Sequence, residues 1–238
     1  MSTSTLGAGQ APALKSSRKA TSRLIGGLFL SGFLVYGIGA ALVASVVGAP
    51  DFLASVAAQQ TTLVLGAFLM LLNVLVDVGK AVLFFPIIET HGRRTALIYL
   101  ATMIFEVVLL TVGVLAVLMI VPIAQQSVVS GPAGAEWAQS LGALAVAGNT
   151  LAYQIAMMAL GIGCIFLFAL LFRSRLLPRF LSVWGMAGYA IFAAGAIAEI
   201  FGLHIGLILT IPGGLLEVAL GFWLIIRGFE PKAYDQAP

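Results

Sequence analysis

Charge is what this sequence has least of: only 9% of its 238 residues are Asp, Glu, Lys or Arg, where soluble domains carry about a quarter. With 61% hydrophobic residues and a mean hydropathy of +1.11, no stretch between the apolar runs is long enough to bury a core of its own in water. Cysteine occurs once, as Cys164, so no intrachain disulfide can form, and a thiol in apolar surroundings is usually inert. Histidine occurs twice, and His91 and His204 fall in connections on opposite sides of the membrane, where they cannot share a metal. No HExxH or cysteine-based metal spacing appears, which disfavours a zinc membrane hydrolase. A serine–histidine protease needs both groups at one depth, yet no nucleophile-like serine stands near His204. An aspartyl protease needs two aspartates sharing a proton, and Asp77 is the only aspartate within an apolar run. No phosphate-binding glycine loop is present. The sequence specifies no reaction, no cofactor and no metal.

What is present is a set of six apolar runs, near Leu24 to Val47, Thr61 to Ile88, Ala96 to Val121, Thr150 to Phe172, Leu181 to Leu203 and Ile205 to Ile226. A membrane helix needs about 20 mostly apolar residues, and the alternation of a membrane barrel is absent. The expected fold is an all-α polytopic membrane helix bundle of six transmembrane helices. Residues 23–228 form one membrane domain, between a disordered tail at 1–22, rich in Ser, Thr, Ala and Gly, and a short tail at 229–238. The first run is longer than the about 7 to 15 apolar residues of a signal peptide, so it reads as an uncleaved span in preference to a cleaved signal.

Basic residues fix the expected orientation. Lys15, Arg18, Lys19 and Arg23 precede the first run, and Arg93 and Arg94 separate the second from the third. Arg173, Arg175 and Arg179 separate the fourth from the fifth, and Arg227 and Lys232 follow the sixth. The connections around Asp51, Glu136 and His204 carry none. Cytoplasmic loops are the ones enriched in Lys and Arg, so both termini are expected in the cytoplasm, as in a bacterial inner-membrane protein. Arg93, Arg94, Arg173, Arg175 and Arg179 form a basic cytoplasmic surface that signals topology and can also meet anionic lipid.

Against this background a few polar residues inside the runs stand out. At 1.5 Å per residue, Asp77, Glu106 and Glu217 all fall about 15 to 17 Å from the cytoplasmic boundary, in one layer near the midplane. Asn73, Asp77 and Lys80 follow i, i+4, i+7 spacing and share a helix face. A charge at this depth costs about 2.5 to 3.5 kcal/mol, which ten or more Leu, Ile, Val or Phe in the same run can offset. These side chains are therefore expected to face the bundle interior. One lysine cannot neutralise three acids, so at least one acid is expected to be protonated, hydrated or bound to a cation. Glu199 lies near the outer surface instead. Pro212 with Gly213 marks an expected helix break, since proline removes a helical hydrogen bond.

The segment Arg173-Ser174-Arg175-Leu176-Leu177-Pro178-Arg179-Phe180-Leu181-Ser182-Val183-Trp184-Gly185 resembles a family of bacterial multi-pass membrane proteins catalogued as domain of unknown function 4386. The entry Arg23-Leu24-Ile25-Gly26-Gly27, the pair Asn73 and Asp77, and Pro212, Glu217 and Trp223 followed by Gly228-Phe229 extend the resemblance over most of the chain. It implies the multi-pass architecture and names no substrate. Three functional expectations follow from the residues. The first is movement of a small solute, proton or cation along Asn73, Asp77, Lys80, Glu106 and Glu217. The second is a non-enzymatic sensor or scaffold whose polar cluster fixes helix packing. The third is a lipid-acting enzyme, which a lateral groove beside Glu217 would favour. Membrane lipid is the expected partner, and no nucleic acid is expected.

Overall fold

The computed structural model describes residues 10–130 and 132–231, with side chains over 18–129, 136–206 and 208–231, and no strand occurs among them. The helices are α1 (Gln10–Val47), α2 (Phe52–Ala58), α3 (Gln60–Ser130), α4 (Pro132–Ser174), α5 (Arg179–Ile200) and α6 (Gly206–Ile226). All except α2 are long and apolar enough to cross a membrane.

Helix α3 has 71 residues, which would reach about 106 Å if straight, over three times the roughly 30 Å of a hydrocarbon core. It is not straight. At Gly92 the backbone leaves the helical region, with φ −177° and ψ 86°, and the chain folds back on itself. Gln125, near the end of α3, donates its side-chain amide to Gln60 at the start, 3.1 Å away and 65 positions apart in sequence. The two limbs are thus a helical hairpin. A Cβ at Gly92 would lie 2.8 Å from Leu170 of α4, so the corner has no side chain where a neighbour comes closest. The connection expected between the second and third runs is helical on both sides of Gly92, because Glu89, Arg93 and Arg94 are good helix formers as well as charged.

The hairpin corner, the end of α4, the stretch of α1 around Ser22 and Arg23 and the last turn of α6 lie at one end of the bundle. Arg23 Nε donates to the carbonyl of Ile225 at 3.3 Å, placing a cation at the C-terminal end of α6, where the helix dipole favours it. Deeper in the bundle α1 and α6 cross at Gly26 and Gly221, so closely that a Cβ at Gly26 would lie 2.5 Å from the Gly221 carbonyl oxygen. Just after α4, Arg175 has a φ of 57°, the left-handed geometry that more often falls to glycine after a helix. Leu176 and Leu177 then turn inward and are fully buried. Pro178 stands at the N-cap of α5.

Two hydrophobic clusters hold the bundle. The larger joins α1, both limbs of α3, α4, α5 and α6 around Phe84, Phe168, Leu171, Leu181 and Leu220. The smaller lies at the opposite end, where Phe52, Leu53 and Val56 of α2 pack with Val46, Leu63, Ile120 and Ala138. Helix α2 falls in what the sequence suggested was a plain connection around Asp51. The Asp51 carboxylate accepts from the amide of Ala54 at 3.4 Å, an N-cap bond that starts this short helix. Helix α4 likewise begins at Pro132 rather than near Thr150, because its first turns reach this second cluster.

Both tails need correction where they are described. The N-terminal tail is helical from Gln10 onward, and residues 1–9 lie outside the described residues. At the other terminus Phe229 is buried and stacked on Phe84, with ring centroids 5.5 Å apart, and the Glu230 amide donates to Leu176 O at 3.0 Å. The domain therefore extends past 228, and residues 232–238 lie outside the described residues.

Candidate functional site

Asn73, Asp77 and Lys80 sit at mid-length of the first limb of α3, Glu106 on the second limb and Glu217 on α6, and all five line one cavity of about 390 Å³. Helical spacing does the local work. Asn73 Nδ2 donates to Asp77 Oδ2 at 2.7 Å, and Lys80 Nζ lies 2.5 Å from Asp77 Oδ1, so Asp77 is engaged through both oxygens within a single helix. The Lys80 ammonium also lies over the Phe29 ring of α1, 4.9 Å from its centroid, an attraction between the cation and the ring's negative face. All three polar side chains are buried.

The two remaining acids differ from Asp77 and from each other. Glu217 Oε1 accepts the hydroxyl of Tyr189 at 2.6 Å, which ties α6 to α5. Glu106 is 4% exposed, and its Oε2 has no hydrogen-bond partner. Buried polar groups are nearly always satisfied, and leaving one unsatisfied costs about 1–3 kcal/mol. The cavity thus holds three acidic side chains and one lysine, with the lysine already committed to Asp77.

Aromatic side chains make most of the wall. Of the five tyrosines in the chain, Tyr36, Tyr99, Tyr153 and Tyr189 line the cavity. Tyr36 of α1 stacks on Tyr153 of α4 at 5.7 Å, and Tyr189 packs against Phe168 and Phe192. None of these tyrosines was among the site residues expected from the sequence. The available signal was depth: tyrosine in membrane proteins favours the interfaces, whereas Tyr36 and Tyr189 stand in the middle of apolar runs.

The cavity opens sideways between α1 and α6. Beyond its crossing with α6, α1 leans onto the first limb of α3 at Gly39 and Gly66, where a Cβ on either would lie 2.8 Å from the other's carbonyl oxygen. Phe33 of α1 and Ile211 and Leu215 of α6 line the cavity and are also 49%, 54% and 57% exposed on the outer face of the bundle.

The other expected site residues lie elsewhere. Glu199, at the end of α5, accepts the Gly206 amide at 2.7 Å and lies 3.5 Å from His204. It caps the start of α6, where a carboxylate also suits the helix dipole. Arg93, Arg94, Arg173, Arg175 and Arg179 are exposed at the corner end, Arg93 beside Glu89 at 3.6 Å and Arg179 over the Phe172 ring at 5.5 Å. The helix break expected at Pro212 and Gly213 is absent, since α6 runs through both. Neighbouring packing holds this turn: Trp184 of α5 donates its indole N–H to the Pro212 carbonyl at 3.1 Å, and Gly188 lets α5 approach the same carbonyl closely.

The family described as Domain of unknown function (DUF4386) matches residues 24–228. The chain belongs to this family. No curated protein and no solved structure matches it. The matched segment of this DUF4386 chain contains the whole lining of the cavity. Among the described residues no three His, Cys, Asp or Glu side chains are grouped as a metal-ligand set.

Proposed function

We propose that this DUF4386 protein is a six-span protein of the bacterial inner membrane, with both termini cytoplasmic, that binds a small solute, proton or cation in the cavity and moves it by way of Asn73, Asp77, Lys80, Glu106 and Glu217. The α3 hairpin supports six spans, and the gathering of basic residues at the end where Arg23 of α1 meets the close of α6 supports the orientation. The observation that carries the functional reading is the buried, unpartnered Oε2 of Glu106 in a cavity whose lysine is already used.

A sensor or scaffold whose polar cluster only fixes packing needs bonds that run between helices. Here the Asn73–Asp77 and Asp77–Lys80 contacts stay within α3, Glu106 Oε2 contributes no bond, and of these five residues Glu217 makes the hydrogen bond between helices, to Tyr189 of α5. The lateral opening beside Glu217 suits a lipid-acting enzyme, yet among the described lining residues neither serine nor histidine is present to make a nucleophile–base pair.

The test is flux of protons and monovalent cations into proteoliposomes containing the full-length protein, with Asp77→Asn and Glu217→Gln variants of matched folding. Flux above empty liposomes that both variants abolish is expected. Flux no greater than in empty liposomes would remove proton and cation movement as the activity.

A further inference from the structure

We propose that the cavity takes an amphipathic organic amine, a protonated ammonium on a small apolar or aromatic body, which enters from the lipid side between α1 and α6. This rests on the cavity being a solute site and narrows what it binds.

Three observations converge on that chemistry. The first is charge: with Lys80 engaged by Asp77, the carboxyl groups of Glu106 and Glu217 remain, and Glu106 presents a buried oxygen that nothing in the protein satisfies. An anionic solute would meet two acids, whereas an ammonium offers several N–H donors and the opposite charge. The second is the wall. The stacked Tyr36 and Tyr153 and the rings around Tyr189 offer apolar area and π faces to a cation's body. Since no metal-ligand set is grouped among the described residues, an organic cation suits this lining better than a coordinated metal ion. The third is the entrance, whose rim of Phe33, Ile211 and Leu215 is apolar and faces outward. A molecule already dissolved in lipid reaches it without crossing a polar mouth. The volume of about 390 Å³ equals that of about a dozen waters, which sets the size of the ligand.

The experiment uses the full chain in lipid nanodiscs, with empty nanodiscs to subtract partitioning. Binding of 4-phenylbutylamine is compared by calorimetry with that of 4-phenylbutanol and 4-phenylbutyrate, which share its body and differ in charge. The amine is expected to bind saturably and at least tenfold more tightly than the alcohol, and the acid not at all. Glu106→Gln should weaken the amine at least tenfold and leave the alcohol unchanged. Gly37→Phe provides a second, independent variant: Gly37 lines the cavity beside Phe33, and a Cβ there meets nothing within 4 Å, which leaves space at the entrance for a larger side chain. It should slow amine association several-fold at unchanged Tm. Equal binding of amine and alcohol, tighter binding of the acid, an unaltered amine affinity in Glu106→Gln, or an unaltered association rate in Gly37→Phe would each overturn the proposal. Saturable amine binding without any flux would leave this inference standing and remove proton and cation movement. Flux without amine binding would do the reverse.

Discussion

Tyr189 of α5 donates its hydroxyl to Glu217 of α6 at 2.6 Å, so one oxygen of the cavity's α6 carboxyl group is held by a neighbouring helix. Interhelical hydrogen bonds in membrane proteins are worth about 0.6 kcal/mol on average and up to about 1.7, because the unfolded chain in the membrane finds other partners. A double-mutant cycle of Tyr189→Phe and Glu217→Leu, which removes the acceptor, read by unfolding in bicelles, should therefore show a favourable coupling near that value. Strictly additive effects would mean the bond contributes nothing to holding α5 on α6.

Lys80 and Asp77 are both buried and form an ion pair. Removing one member of a buried pair leaves the other charge uncompensated and costs about 3–5 kcal/mol. Lys80→Met should accordingly be strongly destabilising, and Asp77→Asn combined with Lys80→Gln milder than Lys80→Met alone. Thermal unfolding in detergent checks the order, and a Lys80→Met protein as stable as wild type would show that the pair carries no such weight.

Glu106 should behave in the opposite way. Its Oε2 is unsatisfied, so Glu106→Leu removes a group whose burial costs about 1–3 kcal/mol, in exchange for a side chain of similar bulk. The variant should be at least as stable as wild type, while Glu217→Leu, which strands the Tyr189 hydroxyl, should be less stable. Thermal midpoints of the two variants in one detergent give the comparison. Stability held back at one residue of a pocket is what a binding site requires and a packing network does not.

The polar cluster was legible in the sequence for a simple reason. In a chain this apolar, three acids at one depth have nowhere to go except a shared interior, and helical spacing alone puts Asn73, Asp77 and Lys80 on one face. Pairing was less legible. Nothing in the spacing says that Lys80 is closed onto Asp77 rather than onto Glu106, since that depends on how α1 brings Phe29 over the ammonium. Helix α2 and the early start of α4 were missed because they are stabilised by packing at the far end of the bundle, not by their own length or periodicity. Pro212 misled for the complementary reason: a missing helical bond shows in the sequence, but the α5 side chain and backbone that pack against that turn do not.

The hairpin in α3 makes a geometric prediction. Gln60 and Gln125 touch through their side chains, so Gln60→Cys and Gln125→Cys together, in a Cys164→Ser background, should be joined efficiently by a short bifunctional thiol reagent. The link should form at low protein density and shift mobility as an intramolecular product. Failure to cross-link in a folded, labelled sample would mean that the limbs do not return to each other and would undo the proposed six-span arrangement.

The carboxyl end offers a test of cooperation between a backbone turn and a side chain. Gly228 adopts φ 75°, a left-handed conformation that costs any other L-residue roughly 1–2 kcal/mol. That turn delivers Phe229 onto Phe84, and Phe→Ala at buried positions costs about 3–5 kcal/mol. Gly228→Ala and Phe229→Ala should each lower the thermal midpoint, the second by more. If the turn matters because it seats the ring, then once Phe229 is gone the alanine at 228 has little left to disturb, and the double variant should cost less than the sum of the two. Full additivity would instead mean that the turn is strained on its own account, independent of the ring it positions.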